Sequence, residues 1–206
     1  TADSGGATRL GASVTTTGAQ RYNGPVTLST DTTLNGSAVV FNGTLNGAHA
    51  LQVNAAGITR FAAEVGGSTA LASLVTDAPG STQIGADVTT SGVQTYNDPV
   101  LLIGDSTLTA SNLAFASAFN ASTFAVELQA GTVVFGGPVS GTGSIVLAPS
   151  TAGASIGVAT GGGSGFQIAQ ATIDQFGGFS TVVIGRTDGT GDITLGALTL
   201  PTGLRV

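Results

Sequence analysis

Short apolar runs recur along the chain at close spacing, and several of them alternate with polar residues. Val26-Thr27-Leu28, Leu51-Gln52-Val53, Ile58-Thr59-Arg60-Phe61, Ser144-Ile145-Val146-Leu147, Phe166-Gln167-Ile168 and Ile193-Thr194-Leu195 each place apolar side chains two residues apart. That period puts one face of a strand inward and the other outward. Ala38-Val39-Val40-Phe41, Val133-Val134-Phe135 and Val182-Val183-Ile184 are shorter continuous runs that also suit strands. Between them lie turn signals: Asn23-Gly24-Pro25, Asn35-Gly36, Asn42-Gly43, Asn46-Gly47, Gly66-Gly67, Gly136-Gly137 and Gly161-Gly162-Gly163. Gly supplies the positive φ of tight turns, and Asn tolerates it. Helical periodicity is weak. Its best stretch, Phe61 to Leu74, is broken at Gly66-Gly67.

The pattern repeats at an offset of 74 residues. Residues 14–26, Val-Thr-Thr-Thr-Gly-Ala-Gln-Arg-Tyr-Asn-Gly-Pro-Val, match 88–100, Val-Thr-Thr-Ser-Gly-Val-Gln-Thr-Tyr-Asn-Asp-Pro-Val, with nine of thirteen pairs identical. Without a gap, Asp3 pairs with Asp77, Gly6 with Gly80, Leu28 with Leu102, Leu34 with Leu108, Phe41 with Phe115 and Phe61 with Phe135. Residues 1–74 and 75–148 are therefore two copies of one unit, and 149–206 read as a divergent continuation. A fixed repeat is the mark of an array in which each unit covers its neighbour's apolar face. Two separate globular domains are the alternative, but units this small, without cysteine or metal, are hard to stabilise alone. The expectation is an all-β parallel solenoid, with three or four coils of about twenty residues per unit. Nine or ten coils are expected in all, stacked at about 4.8 Å into a rod some 45 Å long.

Composition sharpens this picture. Only 8% of the 206 residues are charged, against roughly a quarter in ordinary domains. The solvent-facing positions therefore fall to Thr, Ser, Asn, Gln and Gly, which suit strands and turns. The five cations are all arginine (Arg9, Arg21, Arg60, Arg186 and Arg205), they are scattered, and the net charge is −6. Nucleic acid is excluded as a partner, because a phosphate backbone needs clustered cations. No apolar run approaches the roughly 18 residues that cross a bilayer, so direct membrane insertion is not expected. The chain opens on Thr1 and reads as a processed chain or a fragment, with any export signal outside it.

Four stretches carry a resemblance: residues 14–26; residues 41–48, Phe-Asn-Gly-Thr-Leu-Asn-Gly-Ala; residues 67–74, Gly-Ser-Thr-Ala-Leu-Ala-Ser-Leu; and residues 178–186, Gly-Phe-Ser-Thr-Val-Val-Ile-Gly-Arg. They resemble the repeat units of large filamentous-haemagglutinin-like adhesins of Gram-negative bacteria. The resemblance implies a right-handed parallel β-helix, extracellular or held at the bacterial cell surface, serving attachment, aggregation or biofilm formation. It implies host or bacterial surface receptors or glycans as partners, and no catalytic residues in the repeats.

Candidate chemistry is sparse. His49 is the only histidine and no cysteine exists, so a Ser–His–Asp triad would have to be built on His49, and no second His or any Cys completes a zinc site. His49 reads as a solvated turn residue. Glu64 and Glu127 are the only glutamates, and the repeated aspartates, Asp31 with Asp105 and Asp3 with Asp77, suggest turn or cap roles. No enzyme activity and no cofactor are expected. The best metal candidate is Asp188-Gly189-Thr190-Gly191-Asp192, whose two carboxylates flank a glycine turn in a way open to calcium, though turn chemistry without metal is the plainer reading. Gly161 to Gly165 lacks the lysine of a phosphate loop and reads as a loop between coils. Asn35, Asn42 and Asn120 each head a glycosylation-acceptor triplet that arises readily by chance in this composition. Tyr22 and Tyr96 recur at the repeat spacing, either as a carbohydrate-contacting stripe or, more simply, stacked within the coil. The functional expectation is a structural stalk segment of a secreted adhesin. A filament assembling end to end with itself, or a glycan-binding module, are the other classes.

Overall fold

The computed structural model describes residues 6–201. It is a parallel β-solenoid of three faces. One seven-stranded sheet runs from Val14–Thr15 to Thr132–Phe135, and another from Gln20–Tyr22 to Val139–Ser140. The remaining face starts at Thr8–Leu10. It continues through Val26–Leu28 and Leu45–Asn46, bridges at Val65, and proceeds from Val88–Thr89 to Thr181–Ile184. We call these, in chain order, the second, third and first faces. Every paired strand is parallel, because each strand meets the same side of the next coil.

Along the first face as far as Ser144–Pro149, partners lie between 18 residues apart (Thr8 with Val26) and 23 apart (Val65 with Val88). The coil of about twenty residues is thus as the sequence implies. The number of coils is not: seven three-sided turns stack, for a shaft of about 34 Å at the usual spacing. The shortfall has one cause. After Ser144–Pro149 the next strand on the first face is Thr181–Ile184, so residue 144 pairs with 181 and an intervening stretch leaves the coil. Dividing the whole chain by twenty counts that stretch as coils.

With Ile193–Leu195, which follows Thr181–Ile184 in the chain, the stretch forms a small parallel sheet in the order Phe166–Ile168, Ile156–Val158, Ile193–Leu195. It also contains the helical turns Gln170–Ile173 and Asp174–Phe176, which the weak helical periodicity did not reveal. The segment Gly161–Gly165 joins two strands of this small sheet and does not link coils. Phe176 sets its ring edge-on to Phe135 at 6.3 Å and to Phe179 at 5.9 Å, and so closes the interior at that end. The Gln175 side chain accepts a bond from Val139 N–H at 2.9 Å, which occupies the last strand of the third face.

Inside the shaft, one contiguous apolar cluster runs from Leu10 to Phe179 across the boundary between the two copies. Strand Ser73–Thr76 pairs with Ala50–Ala55 on one side and Gln94–Tyr96 on the other, so the copies are layers of one coil.

The copies do not occupy the same faces. Thr8–Leu10 lies on the first face. Its counterpart, Ser81–Ile84, lies on the third, three turns and two sides further on. The 74 residues therefore span eleven sides, about 6.7 residues each, and not a whole number of three-sided turns. The duplicated unit can do this because the sides are interchangeable: each is a short strand, inward apolar and outward polar, followed by a turn. Some turns need glycine. Gly80, at φ 92°, sits where any Cβ would strike the Gly57 carbonyl of the coil before.

Candidate functional site

The sequence signature Gln-x-Tyr marks a buried corner. The Gln94 amide donates to Val88 O at 3.0 Å within its own coil and to Thr109 O at 2.9 Å in the next. Its Oε1 accepts the Tyr96 hydroxyl at 2.9 Å. Gln20 repeats the arrangement with Val14 O at 3.2 Å, Asn35 O at 2.8 Å and the Tyr22 hydroxyl at 2.8 Å. At each corner the glutamine amide binds a carbonyl of its own coil, Val88 O or Val14 O, and gives a second donor to Thr109 O or Asn35 O, which also accept Thr90 N–H and Thr16 N–H at 2.9 Å. The nearby Thr16 and Thr90 hydroxyls donate to Gly18 O and Gly92 O and tighten the same turn. Both tyrosines lie in the interior. Tyr22 stacks on Phe41 at 5.0 Å and Phe41 on Phe61 at 5.5 Å, while Tyr96, Phe115 and Phe135 stack at 5.3 Å and 5.3 Å. Tyr22 and Tyr96 therefore form no exposed carbohydrate-contacting stripe.

Asp98 is a buried carboxylate that sequence reasoning passed over. It is 1% exposed and accepts the Thr76 hydroxyl at 2.9 Å and the Thr82 hydroxyl at 2.8 Å. Burial pushes its pKa up and nearby Asp77 adds to this, while the two threonine bonds oppose it. The matching position in the first copy is Gly24. The signal that would have found it is the single polar intrusion, Asp98, in an otherwise retained motif.

Four aspartates act as corner links between coils, Asp31, Asp87 and Asp105 exposed and Asp77 half-buried. Asp31 accepts Ala50 N–H at 2.9 Å, and its counterpart Asp105 accepts Ala125 N–H at 2.8 Å. Asp77 accepts Ala55 N–H at 3.0 Å, and Asp87 accepts Thr107 N–H at 2.7 Å. These are the cap roles that repetition suggests; Asp3 lies outside the described residues. Asparagines run in parallel ladders: Asn54 donates to Asn35 at 2.8 Å and Asn42 to Asn23 at 2.7 Å. Asn120 instead caps its own turn by accepting Ser122 N–H at 2.8 Å. His49 sits at a turn, half-exposed, with Nδ1 3.6 Å from Asp31 Oδ1.

The calcium candidate is differently arranged from what its spacing suggests. Both oxygens of Asp188 are taken by Arg186, through Nε at 2.7 Å and a terminal nitrogen at 2.9 Å. This contact holds the Asp188 carboxyl below the usual carboxylate range. Asp192 uses its backbone carbonyl to receive Ile156 N–H at 2.8 Å. Among the described residues, no three His, Cys, Asp or Glu side chains gather as a metal-binding group. Glu64 and Glu127 lie on different coils, apart from one another. A shallow groove runs along the outer first face between Glu127, Gln129, Val183 and the Arg186–Asp188 pair. No helix among the described residues is long and apolar enough to cross a membrane.

No family model, curated protein or solved structure matches this chain.

Proposed function

We propose that the chain is a stiff spacer: a shaft segment of a secreted adhesin that holds a binding end away from a bacterial surface. One observation carries this reading. Between the two copies many inward residues are kept while several outward strand residues are replaced. Gln20, Tyr22, Leu28, Leu34, Phe41 and Phe61 match Gln94, Tyr96, Leu102, Leu108, Phe115 and Phe135. Outside, Arg9 becomes Gln83, Thr27 becomes Leu101, Arg21 becomes Thr95 and Arg60 becomes Val134. A module repeated for its ligand would repeat the side chains that meet the ligand. A module repeated for its length need only repeat its interior. Backbone ladders that continue through seven turns resist bending and leave few loops for proteases, which suits extracellular service.

The resemblance of residues 14–26 and 178–186 to filamentous-haemagglutinin-like repeats supports the same reading, with surface receptors or glycans engaged elsewhere on the full assembly. Two measurements test it. Electron microscopy of the isolated chain should show short straight rods. Antibody raised against the chain should label intact cells of its source, and loss of the gene should lower their attachment or aggregation. Labelling found only after cells are opened, or unchanged attachment, would defeat the reading.

A further inference from the structure

The two ends of the shaft differ. At the C-terminal end Phe176 plugs the interior and Gln175 occupies the last strand of the third face. At the other end, strands Thr8–Leu10, Val14–Thr15 and Gln20–Tyr22 each have one neighbour among the described residues. In a parallel ladder alternate residues bond to opposite sides. Thr8 N–H bonds to Pro25 O, Thr16 N–H to Asn35 O and Gln20 N–H to Ala38 O, all toward the second coil. The intervening residues Arg9, Thr15 and Arg21 therefore turn their peptide groups the other way.

The second copy shows what that edge is built to meet. The counterpart of Thr15 is Thr89, which donates to Val65 O at 2.8 Å and accepts Leu71 N–H at 3.2 Å. The counterparts of Arg9 and Arg21 are Gln83 and Thr95, which pair with Arg60 and Val75 of the coil before. Side chains tell the same story. Leu10 and Tyr22 are 7% and 6% exposed, whereas Ile84 and Tyr96 are both fully covered. Gly80 packs against Gly57, while a Cβ at Gly6 would meet nothing within 4 Å.

We propose that the edge formed by Arg9, Thr15 and Arg21 is a docking surface for one further coil built like residues 58–76, supplied by another copy of the 74-residue unit placed ahead of residue 1. The inference rests on the shaft reading but is tested apart from it.

The experiment fuses one more copy of residues 1–74 directly ahead of the full chain and compares amide exchange with the original chain. Docking slows exchange at the original Arg9, Thr15 and Arg21 amides by about 100-fold or more, and the fusion unfolds in a single transition. An added unit that stays unprotected, or that melts by itself while those three amides exchange as before, overturns the proposal. Proline substitution in the original chain gives a second arm. Thr15→Pro lowers the unfolding midpoint only slightly, because its N–H has no partner among the described residues and only the exposed Asn35 side-chain bond to its hydroxyl is lost, while Thr89→Pro lowers it sharply by removing the bond to Val65 O. Equal loss in both variants also overturns the proposal. Surface labelling of cells is indifferent to either result, so the shaft reading and the docking edge fail separately.

Discussion

The first copy stacks Tyr22, Phe41 and Phe61 on the third face, and the second stacks Tyr96, Phe115 and Phe135 on the second face. The residues correspond one for one at the 74-residue offset, yet they stand on different sides of the shaft. Neither ladder depends on which face bears it. What the rings require is a side that places a large inward residue directly above its predecessor, and any of the three sides does so. The copies differ in their surroundings. The first copy begins at an edge, the second is covered above and below. Burial pushes both phenols above their ordinary pKa, Tyr96 further because it is wholly enclosed and Asp98 adds charge nearby.

Truncating the central ring tests this equivalence most severely. Phe41→Ala and Phe115→Ala each remove a fully buried side chain stacked on both sides, at a cost of about 3–5 kcal/mol by urea denaturation. Similar losses are expected in the two copies; a cost at one site several times that at the other would show the ladders to be unlike. The corner glutamines should separate the copies. Gln94→Ala removes the amide's bonds to Val88 O and Thr109 O and leaves the Tyr96 hydroxyl without its acceptor in a covered coil, costing about 1–3 kcal/mol, and Gln20→Ala costs less because its coil lies at the edge.

Asp98 has no acidic counterpart, so it should give the second copy a pH response that the first lacks. A carboxyl whose folded pKa is raised contributes stability that is full below its unfolded value and is lost as pH rises through the folded value. The chain should therefore weaken on going from acid toward neutrality by at most about 1.4 kcal/mol per pH unit from this group. Asp98→Asn should remove that slope. Asp77 and Tyr96 are the titratable groups facing it, so the same titration in an Asp77→Asn background checks the assignment. A slope that survives Asp98→Asn would place its origin elsewhere. The smallest change expected is a gain. Thr59 buries a hydroxyl with no partner, and its counterpart in the second copy is Val133. Thr59→Val should stabilise by about 1 kcal/mol, read as a higher unfolding midpoint.

Much of this was legible in the residues alone. Alternation at Val26–Leu28 and Ile58–Phe61, and the turns at Asn42-Gly43 and Asn46-Gly47, located strands and corners, because a narrow coil leaves few ways to satisfy period two, whereas Asn35-Gly36, expected as a turn, ends the strand Thr32–Gly36 and pairs with Asn54 and Ala55. The offset of 74 showed stacking, but not that the copies rotate between faces, since matching inward residues look alike on every side. The gapless match also hides a local slip: Leu51, Val53 and Ala55 point inward, whereas Val126, Leu128 and Ala130 do so in the second copy, one residue out of step. The turns before and after absorb it. The plug was invisible for a different reason. Ile173 and Phe176 form barely two turns of helix, too short to show a period, and are ordered by the coil end they cover. Arg186 next to Asp188 was the overlooked sign that this loop carries an ion pair within itself.

Eleven sides per duplicated unit is a number that three does not divide. Each added copy turns everything beyond it by a third of a revolution, and three copies must pass before a position returns to its starting azimuth. A lone arginine or an exposed valine that recurs with the unit therefore winds around the shaft as a spiral and never lines up as a stripe. Growth by duplication thus spreads any accidental patch over the whole circumference, so neighbouring shafts meet no continuous strip along which to adhere.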